Sequence, residues 1–223
     1  MTYFMMVISG VSTFLLLSLR KKKYDISWVT LVIILVVAGT VGYYGAAFAT
    51  YLSDGVWPGI RFYGKVLFVT ISLFFTSKIL KRDYAEILDY YAPVDILALG
   101  IMKVNCLRFG CCAGIEMHMT DSRSFIFPSQ IAELLCAVII FAVLIGLEHM
   151  GKYRHYRYAM YLVSYGLTRF VFDAFREDRG RVFRIFNLDI SVAQIFCAII
   201  VYIGIVGICC VRNEKDRDVK SPS

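Results

Sequence analysis

The sequence is poor in charged residues, which make up 18% of its 223 positions, whereas soluble domains carry about 25%. Proline is scarce too, with four residues, and 59% of the chain is hydrophobic. So little charge beside so much apolar surface excludes a disordered chain and an ordinary soluble enzyme. The composition therefore favours a protein that lies in a membrane.

The sequence also lacks the cysteine and histidine patterns of disulfide scaffolds and zinc sites. Its seven cysteines are an odd number, lie in or beside apolar runs and form no Cys-x-x-Cys pair. The three histidines have no ligand spacing. We therefore expect no disulfide framework and no metal site.

Long apolar runs are what the chain does contain. A helix crosses a bilayer with about 20 mostly apolar residues, and seven stretches approach that length: 3–19, 27–52, 60–80, 93–112, 128–150, 158–175 and 190–211. We predict an all-α integral membrane protein with about seven transmembrane helices in one domain, 1–211, and a charged, frayed cytoplasmic tail, 212–223. Since the basic cluster 20–23 follows the first stretch, that stretch predicts a retained helix and not a signal peptide.

The distribution of basic residues predicts the orientation, because cytoplasmic loops of membrane proteins are rich in Lys and Arg. Four basic clusters fall on one side of the predicted spans: 20–23, 78–82, 152–157 and 212–220. Seven spans with the N-terminus outside and the C-terminus in the cytoplasm place all four clusters inside.

The other basic residues lie in the spans or on the outer side, against that rule. They are Arg61, Lys65, Lys103, Arg108, Arg123, Arg169, Arg176, Arg179, Arg181 and Arg184. Ionisable residues within a membrane are candidates for function, and arginine binds phosphate through two hydrogen bonds. We therefore expect an outward-facing site for an anionic head group and no nucleic acid partner.

The sixth predicted span carries the clearest polar face. At about 100° per residue, four of its residues fall within about 80° of one another; they are Tyr165, Arg169, Asp173 and Arg176. Two interpretations are open. Asp173 ties helices together through salt bridges with the arginines, or it orients the arginines so that their remaining donors bind a phosphate.

The fourth span carries Lys103 inside an apolar stretch, with Cys106 on the same helical face and Gly114 beyond its outer end. The small residues of this region suit helix packing, and its glycines also permit a break in the backbone. Lys103 either pairs structurally with a carboxylate, such as Asp95 or Glu133, or faces the anionic group.

Two shorter segments add polar groups. Gln130 and Glu133 lie one helical turn apart after a proline, which is also how an ordinary helix begins. Tyr63 lies between Arg61 and Lys65 in the sequence, as an interfacial tyrosine with basic neighbours also would.

These segments together resemble the prolipoprotein diacylglyceryl transferase family over nearly the whole chain. The family pattern Tyr-Gly-x-x-Arg-Phe-x-x-Glu-x-x-Arg-x-Asp-Arg is matched at 165–179, with Asp173 in place of the glutamate. The patterns Gly-Cys-Cys-x-Gly and Pro-Ser-Gln-x-x-Glu are matched at 110–114 and 128–133, and Tyr3 resembles a tyrosine of the first family helix.

The resemblance implies a transferase of the bacterial cytoplasmic membrane, with its active site toward the outer face. It would move a diacylglyceryl group from phosphatidylglycerol, or use another anionic lipid, and its acceptor would be the lipobox cysteine thiol of a preprolipoprotein. No metal or soluble cofactor is implied. The implied catalytic residues are Arg169, Tyr63, Lys103 and Arg176. The implied substrate-binding residues are Tyr3, Arg61, Cys106, Gly114, Gln130, Glu133, Tyr165, Asp173 and Arg179.

In that reaction the cations would stabilise the leaving phosphate. Tyr63 would serve as a base or hydrogen-bond relay, provided that Arg61 and Lys65 favour its phenolate form. Glu133 and Asp173 would orient the cations.

The chain departs from the family in three respects. Lys103 stands where the family has arginine, Lys65 replaces a glycine, and the chain is short. The ammonium group of lysine is a compact charge, whereas the planar guanidinium of arginine can bind a phosphate through two parallel hydrogen bonds. The change from arginine to Lys103 is therefore not conservative. Two alternatives follow: a related transferase with another acceptor in envelope glycan synthesis, or a non-catalytic membrane protein that binds an anionic lipid.

Overall fold

A computed structural model of the chain describes residues 2–57, 60–120, 123–177, 179–185 and 188–220. The described residues form seven α-helices, as predicted. They are α1 (Thr2–Arg20), α2 (Trp28–Asp54), α3 (Phe62–Ile79), α4 (Tyr84–Phe109), α5 (Ser129–His149), α6 (Arg157–Asp173) and α7 (Val192–Lys220). Residues 212–220, which the sequence predicted as a charged tail, continue α7.

Two antiparallel β-hairpins, absent from the sequence predictions, connect helices at one end of the bundle. β1 (Glu116–Thr120) pairs with β2 (Arg123–Ile126) between α4 and α5, and β3 (Val182–Ile185) pairs with β4 (Leu188–Ser191) between α6 and α7. Strands of four or five residues leave no long apolar run by which hydropathy detects them. We call this end of the bundle the site end, and the other the opposite end.

Helix α4 begins at Tyr84, so the predicted start at residue 93 was wrong. The Asp83 side chain accepts a hydrogen bond from the Ala85 backbone N–H and caps the helix. Pro93 lies inside the helix, where it has no N–H to offer the carbonyl of Asp89. A guanidinium N–H of α1 donates to that carbonyl at 3.1 Å instead, which lets the helix continue through the proline.

Four of the described helices are long and apolar enough to cross a membrane: α2, α3, α5 and the segment Val192–Arg212 of α7. The segment Phe4–Arg20 is a shorter apolar helix. Helices α4 and α6 carry buried charged side chains that lower their hydropathy, among them Asp95, Lys103 and Arg169. The chain is therefore a multi-pass membrane protein, and the count of seven spans with its orientation stays a prediction.

The start of α3 is held by close packing against α2. A Cβ added at Gly64 would overlap the backbone of Gly45 and the side chain of Ala49, so the two helices can approach this closely only without a side chain there. Helix α4 packs against α1, α3, α5 and α6 and is buried over much of its length. These contacts bring α3, α4 and α6 side by side at the site end.

The opposite end contains a buried ionic cluster that the sequence did not predict. Arg20 is 7% exposed and donates through Nε to both oxygens of Glu148, at 3.1 and 3.0 Å. Arg157 is 5% exposed, donates through Nε to Asp89 Oδ2 at 3.2 Å and lies 3.6 Å from Glu148 Oε2. In the sequence, these two arginines served only to predict the orientation in the membrane. In the structure, their salt bridges connect α1, α4, α5 and α6.

We expect the substitution Glu148→Gln to lower the free energy of unfolding by about 3–5 kcal/mol, because it weakens the pairing of two buried cations. The unfolding temperature in detergent measures the effect. Glu116→Gln is the matched control, since Glu116 is exposed on β1 and surface changes usually cost less than about 0.5 kcal/mol. Equal unfolding temperatures for the two variants would contradict this role of Glu148.

Candidate active site

A cavity of about 270 Å³ opens at the site end, between helices α2 to α6. We call it the cationic cavity. Eight of the residues singled out in the sequence line it: Arg61, Tyr63, Lys103, Cys106, Glu133, Tyr165, Arg169 and Arg176. The fold thus brings together side chains that are far apart in the sequence and that come from α3, α4, α5, α6 and the segments beside them.

The Glu133 carboxylate lies at the centre of the charged groups of this cavity. Its Oε2 is 2.5 Å from Lys103 Nζ, and its Oε1 is 3.1 Å from Arg169 Nη1 and 3.6 Å from Arg176 Nη1. Each of these four residues is at most 6% exposed to solvent. One carboxylate on α5 therefore gathers three cations from α4, α6 and the segment after α6.

A second carboxylate holds Arg169 from the other side. Asp173 Oδ1 accepts from Arg169 Nη2 at 3.0 Å, one helical turn away on α6. Its Oδ2 accepts a hydrogen bond from the Ser191 hydroxyl and lies 3.9 Å from Arg179 Nε. The Arg169 guanidinium is thus fixed between two carboxylates, which orients it but does not neutralise the cluster.

Positive charge exceeds negative charge in the described part of this cluster. Its cations are Lys103, Arg169, Arg176 and Arg179, and its carboxylates are Glu133 and Asp173. Lys103, Arg169 and Arg176 also line the cavity, where their N–H groups are donors of the kind that bind anions.

Arg176 reaches the cavity by a different route from the one predicted. Helix α6 ends at Asp173, so Arg176 does not belong to the helical face that carries Tyr165 and Arg169. It instead forms an isolated β-bridge with Gly114, in the segment between α4 and β1. The backbone pairing between these two segments, and not helical periodicity, places its guanidinium beside Glu133.

Tyr63 is 1% exposed and lines the cavity at the start of α3. The sequence predicted two flanking cations for it. Arg61 lines the same cavity and pairs with Asp54 at 2.8 Å, whereas Lys65 pairs with the buried Asp95 at 2.7 Å. Of the two cations that flank Tyr63 in the sequence, Lys65 thus pairs with a carboxylate of α4, and Arg61 lines the same cavity as Tyr63.

The remaining predicted residues do not line the cavity in the described part of the chain. Gly114 pairs with the Arg176 backbone, and the Gln130 side-chain amide donates to the Cys111 carbonyl at 2.7 Å. The Arg179 guanidinium donates to the Asp189 carbonyl at 2.9 Å and to Gln194 Oε1 at 3.2 Å. The Tyr3 side chain lies outside the described residues.

Several lining residues were not predicted from the sequence, among them Asp54, Met102 and Cys112. The signal for Asp54 was a lone acidic residue at the end of an apolar run. Cys112 lies in the connection after α4, and its thiol has a lowered pKa, first because of its contact with the Cys106 thiol and then because Arg176 and Lys103 are nearby cations. This thiol therefore ionises more readily than a free cysteine.

A second cavity of about 260 Å³ lies beside the first and shares three lining residues with it: Ile60, Phe62 and Met102. Its other walls come mainly from α1 and α2 and are largely apolar, with Lys65 as the charged exception. We call it the apolar groove. Because it adjoins the cationic cavity, a molecule with a charged head and apolar chains fits the two spaces together.

The fold and these two spaces define a multi-pass helical membrane protein with a buried, positively charged cavity beside an apolar groove. Comparison with known proteins narrows this class to one family. The profile of the family described as prolipoprotein diacylglyceryl transferase matches residues 1–210. The chain belongs to this family, which confirms the resemblance seen in its motifs.

The chain is similar to several proteins named phosphatidylglycerol–prolipoprotein diacylglyceryl transferase. It is 25% identical to that of Mannheimia succiniciproducens, 26% to that of Pasteurella multocida and 24% to that of Chlorobaculum tepidum. The alignments cover 67%, 68% and 66% of this chain, but 59%, 59% and 54% of the relatives. The chain thus spans less than two thirds of the length of these relatives.

We expect Gly114→Ala to disrupt the cavity, because the new Cβ would overlap the carbonyl of Phe127 and push apart the segments that hold Arg176. Overpacking of this kind costs about 1–3 kcal/mol. The matched control is Gly146→Ala on α5, where an added Cβ meets no atom within 4 Å. The unfolding temperature in detergent should fall for Gly114→Ala only, and an unchanged value would show that the contact is not needed.

Proposed function

We propose that this protein is a phosphatidylglycerol–prolipoprotein diacylglyceryl transferase. The substrates are phosphatidylglycerol and the lipobox segment of a prolipoprotein, whose cysteine thiol accepts the diacylglyceryl group. The proposal rests on family membership together with one observation: Glu133 gathers Lys103, Arg169 and Arg176 at the wall of one cavity. A phosphodiester is an anion to which these N–H groups can donate hydrogen bonds.

The division into a charged and an apolar space supports a lipid as the donor. The phosphate and the reacting glyceryl carbon lie in the cationic cavity, and the acyl chains lie in the apolar groove between α1, α2 and α4. The two spaces share Ile60, Phe62 and Met102, so a single lipid molecule passes from one to the other. This arrangement lets a lipid enter sideways from the bilayer.

In the proposed reaction the lipobox sulfur forms a bond to the glyceryl carbon, and the bond from that carbon to the phosphate oxygen breaks. Glycerol phosphate leaves with the bonding electron pair. Arg169 and Arg176 donate hydrogen bonds to the phosphate as its charge grows, and Lys103 adds a point charge. Fixed in advance by Glu133 and Asp173, the arginines need little rearrangement in the transition state.

The thiol must also lose its proton. Tyr63 is the group placed to relay it, because its side chain and that of Arg61 line the same cavity. The proton passes from the lipobox thiol through the Tyr63 hydroxyl to the departing glycerol phosphate as the new carbon–sulfur bond forms. Glu133 and Asp173 remain bound to the cations throughout and act as positioning residues.

We further propose seven spans, with the N-terminus and the site end facing the outer side of the bacterial cytoplasmic membrane. Three basic clusters at the connections of the opposite end, 20–23, 78–82 and 152–157, support this orientation, as does the basic segment 212–220. The site end would then meet a lipobox segment that has been carried outward.

A related transferase with another acceptor is the second candidate, and one observation favours it. Lys103 holds the position where the family has arginine, and it contacts Glu133 at 2.5 Å as a point charge. A site with one arginine fewer places the phosphate differently, so the space for the acceptor changes. If the site binds the anionic lipid but no reaction follows, the chain is a lipid-binding protein.

The test uses the full chain in detergent, phosphatidylglycerol labelled in its diacylglyceryl part, and a lipobox peptide. We expect the peptide to gain the mass of the labelled diacylglyceryl group, and glycerol phosphate to appear in equal amount. Consumption of the lipid without a peptide adduct would assign the chain to another acceptor. Saturable binding of the lipid without consumption would make it a lipid-binding protein, and either result overturns the proposal.

Arg169→Gln should lower the transfer rate by about 100- to 1,000-fold, the usual cost of removing one donor to a developing oxyanion. Arg169→Lys should fall between this variant and the wild type, since it restores the charge without the fork. Arg184→Gln is the control, because the Arg184 side chain is 76% exposed on β3. Unfolding temperatures verify that all three fold, and a fully active Arg169→Gln variant would remove Arg169 from the mechanism.

Tyr63→Phe should lower the rate by about 100-fold or more, the lower range of general acid–base effects, while keeping the ring in place. Tyr158→Phe is the matched control. Tyr158 is equally buried, but its hydroxyl contacts Thr70 Oγ1 at 2.8 Å, and it does not line the cationic cavity in the described structure. Equal rates for the two variants would mean that the thiol proton leaves by another route.

A further inference from the structure

Three thiols converge beside the cationic cavity. Cys106 lies in the last turns of α4, and Cys111 and Cys112 lie in the connection that follows. Their sulfur atoms all lie within 4.8 Å of one another, and those of Cys106 and Cys112 are 4.0 Å apart. The proposed transfer reaction uses the thiol of its substrate, so it leaves these three thiols without a role.

The backbone that carries the thiols is held in a defined shape. Gly110 ends α4 in the left-handed region with φ 65°, and Cys112 itself has φ 63°, which is unusual for a residue with a side chain. The Ser129 hydroxyl donates to the Cys112 carbonyl at 2.7 Å, and the Gln130 side-chain amide donates to the Cys111 carbonyl at 2.7 Å. The first turn of α5 thus fixes the loop so that its sulfurs face Cys106.

We propose that Cys106, Cys111 and Cys112 form a three-thiolate binding site for one soft d¹⁰ metal ion, either Cu⁺ or Zn²⁺. Three sulfurs bound at about 2.3 Å lie about 4 Å apart around such an ion. The present separations approach that value, so small side-chain rotations complete the set. Thiolate donors select these ions over harder ones.

The surrounding charge favours this site. Three thiolates give a complex of charge −1 with a divalent ion and −2 with a monovalent ion. Lys103 and Arg176 line the same cavity wall as Cys106 and Cys112, so two cations lie near the anionic complex. A disulfide between two of the thiols would leave the third sulfur without a role. It would also be neutral, so the nearby cations would not stabilise it.

The hydrogen bonds from α5 to the cysteine loop support the same assignment. Ser129 and Gln130 hold the loop through its carbonyls and leave all three sulfur atoms available as ligands. Fixed supports of this kind are what orient the ligands of a metal site. The bound ion would join the end of α4 to the loop that α5 supports, next to the wall that positions Lys103.

The experiment titrates the reduced, metal-free full chain in detergent with Zn²⁺, Cu⁺ and the spectroscopic probe Cd²⁺, each against a competing chelator. We expect one ion per chain and a thiolate-to-cadmium charge-transfer band. Each of Cys106→Ser, Cys111→Ser and Cys112→Ser should weaken binding by more than about 100-fold, since even outer-shell partners of a metal are worth about 10–100-fold. Whichever of Zn²⁺ and Cu⁺ binds more tightly is then the ion that the site takes.

Cys136→Ser is the control, because Cys136 lies on α5 outside the cluster of three sulfurs. Cadmium should also protect the three thiols of the wild-type protein from alkylation, which mass spectrometry maps without any variant. Binding that survives Cys111→Ser, or no protection of the three thiols, would overturn the proposal. The proposal would also be overturned if protein purified under air contained a disulfide within the cluster and added Zn²⁺ did not change that disulfide.

Discussion

The contact on which the site depends is the gathering of three cations by the Glu133 carboxylate. Lys103, Arg169 and Arg176 come from separate parts of the chain and would repel one another if they met without an anion. Glu133 reduces that repulsion, and Asp173 adds a second carboxylate beside Arg169. The three cations line one cavity, which is why we propose that a lipid phosphate binds there.

The bundle buries charge at both ends. At the opposite end, Glu148 and Asp89 pair with Arg20 and Arg157 and tie the helices together. At the site end, Glu133 holds its cations at the wall of a cavity, where we propose that an anion binds. Helices α4, α5 and α6 each carry charges of both clusters and so connect the two ends of the bundle.

Helices α2, α3, α5 and α7 were predictable from the sequence because each contains an apolar run long enough to cross a bilayer. The shared face of Tyr165, Arg169 and Asp173 was predictable from helical periodicity. Other features were not, because they depend on contacts between distant segments. Arg20 donates to the Asp89 carbonyl that Pro93 leaves without a backbone partner inside α4, and the β-bridge to Gly114 positions the Arg176 backbone.

The sequence by itself determined the class of protein, the family and most of the charged residues of the site, since hydropathy and motif spacing are properties of the linear chain. Only the tertiary structure decided which charges meet. It paired Lys65 with Asp95 and Lys103 with Glu133, brought three thiols together from a helix end and a loop, and placed an apolar groove beside the cations. Which charged side chains pair inside a bundle depends on which helices are in contact and on the cost of leaving a buried charge without a partner. Neither can be derived from the order of residues in the sequence.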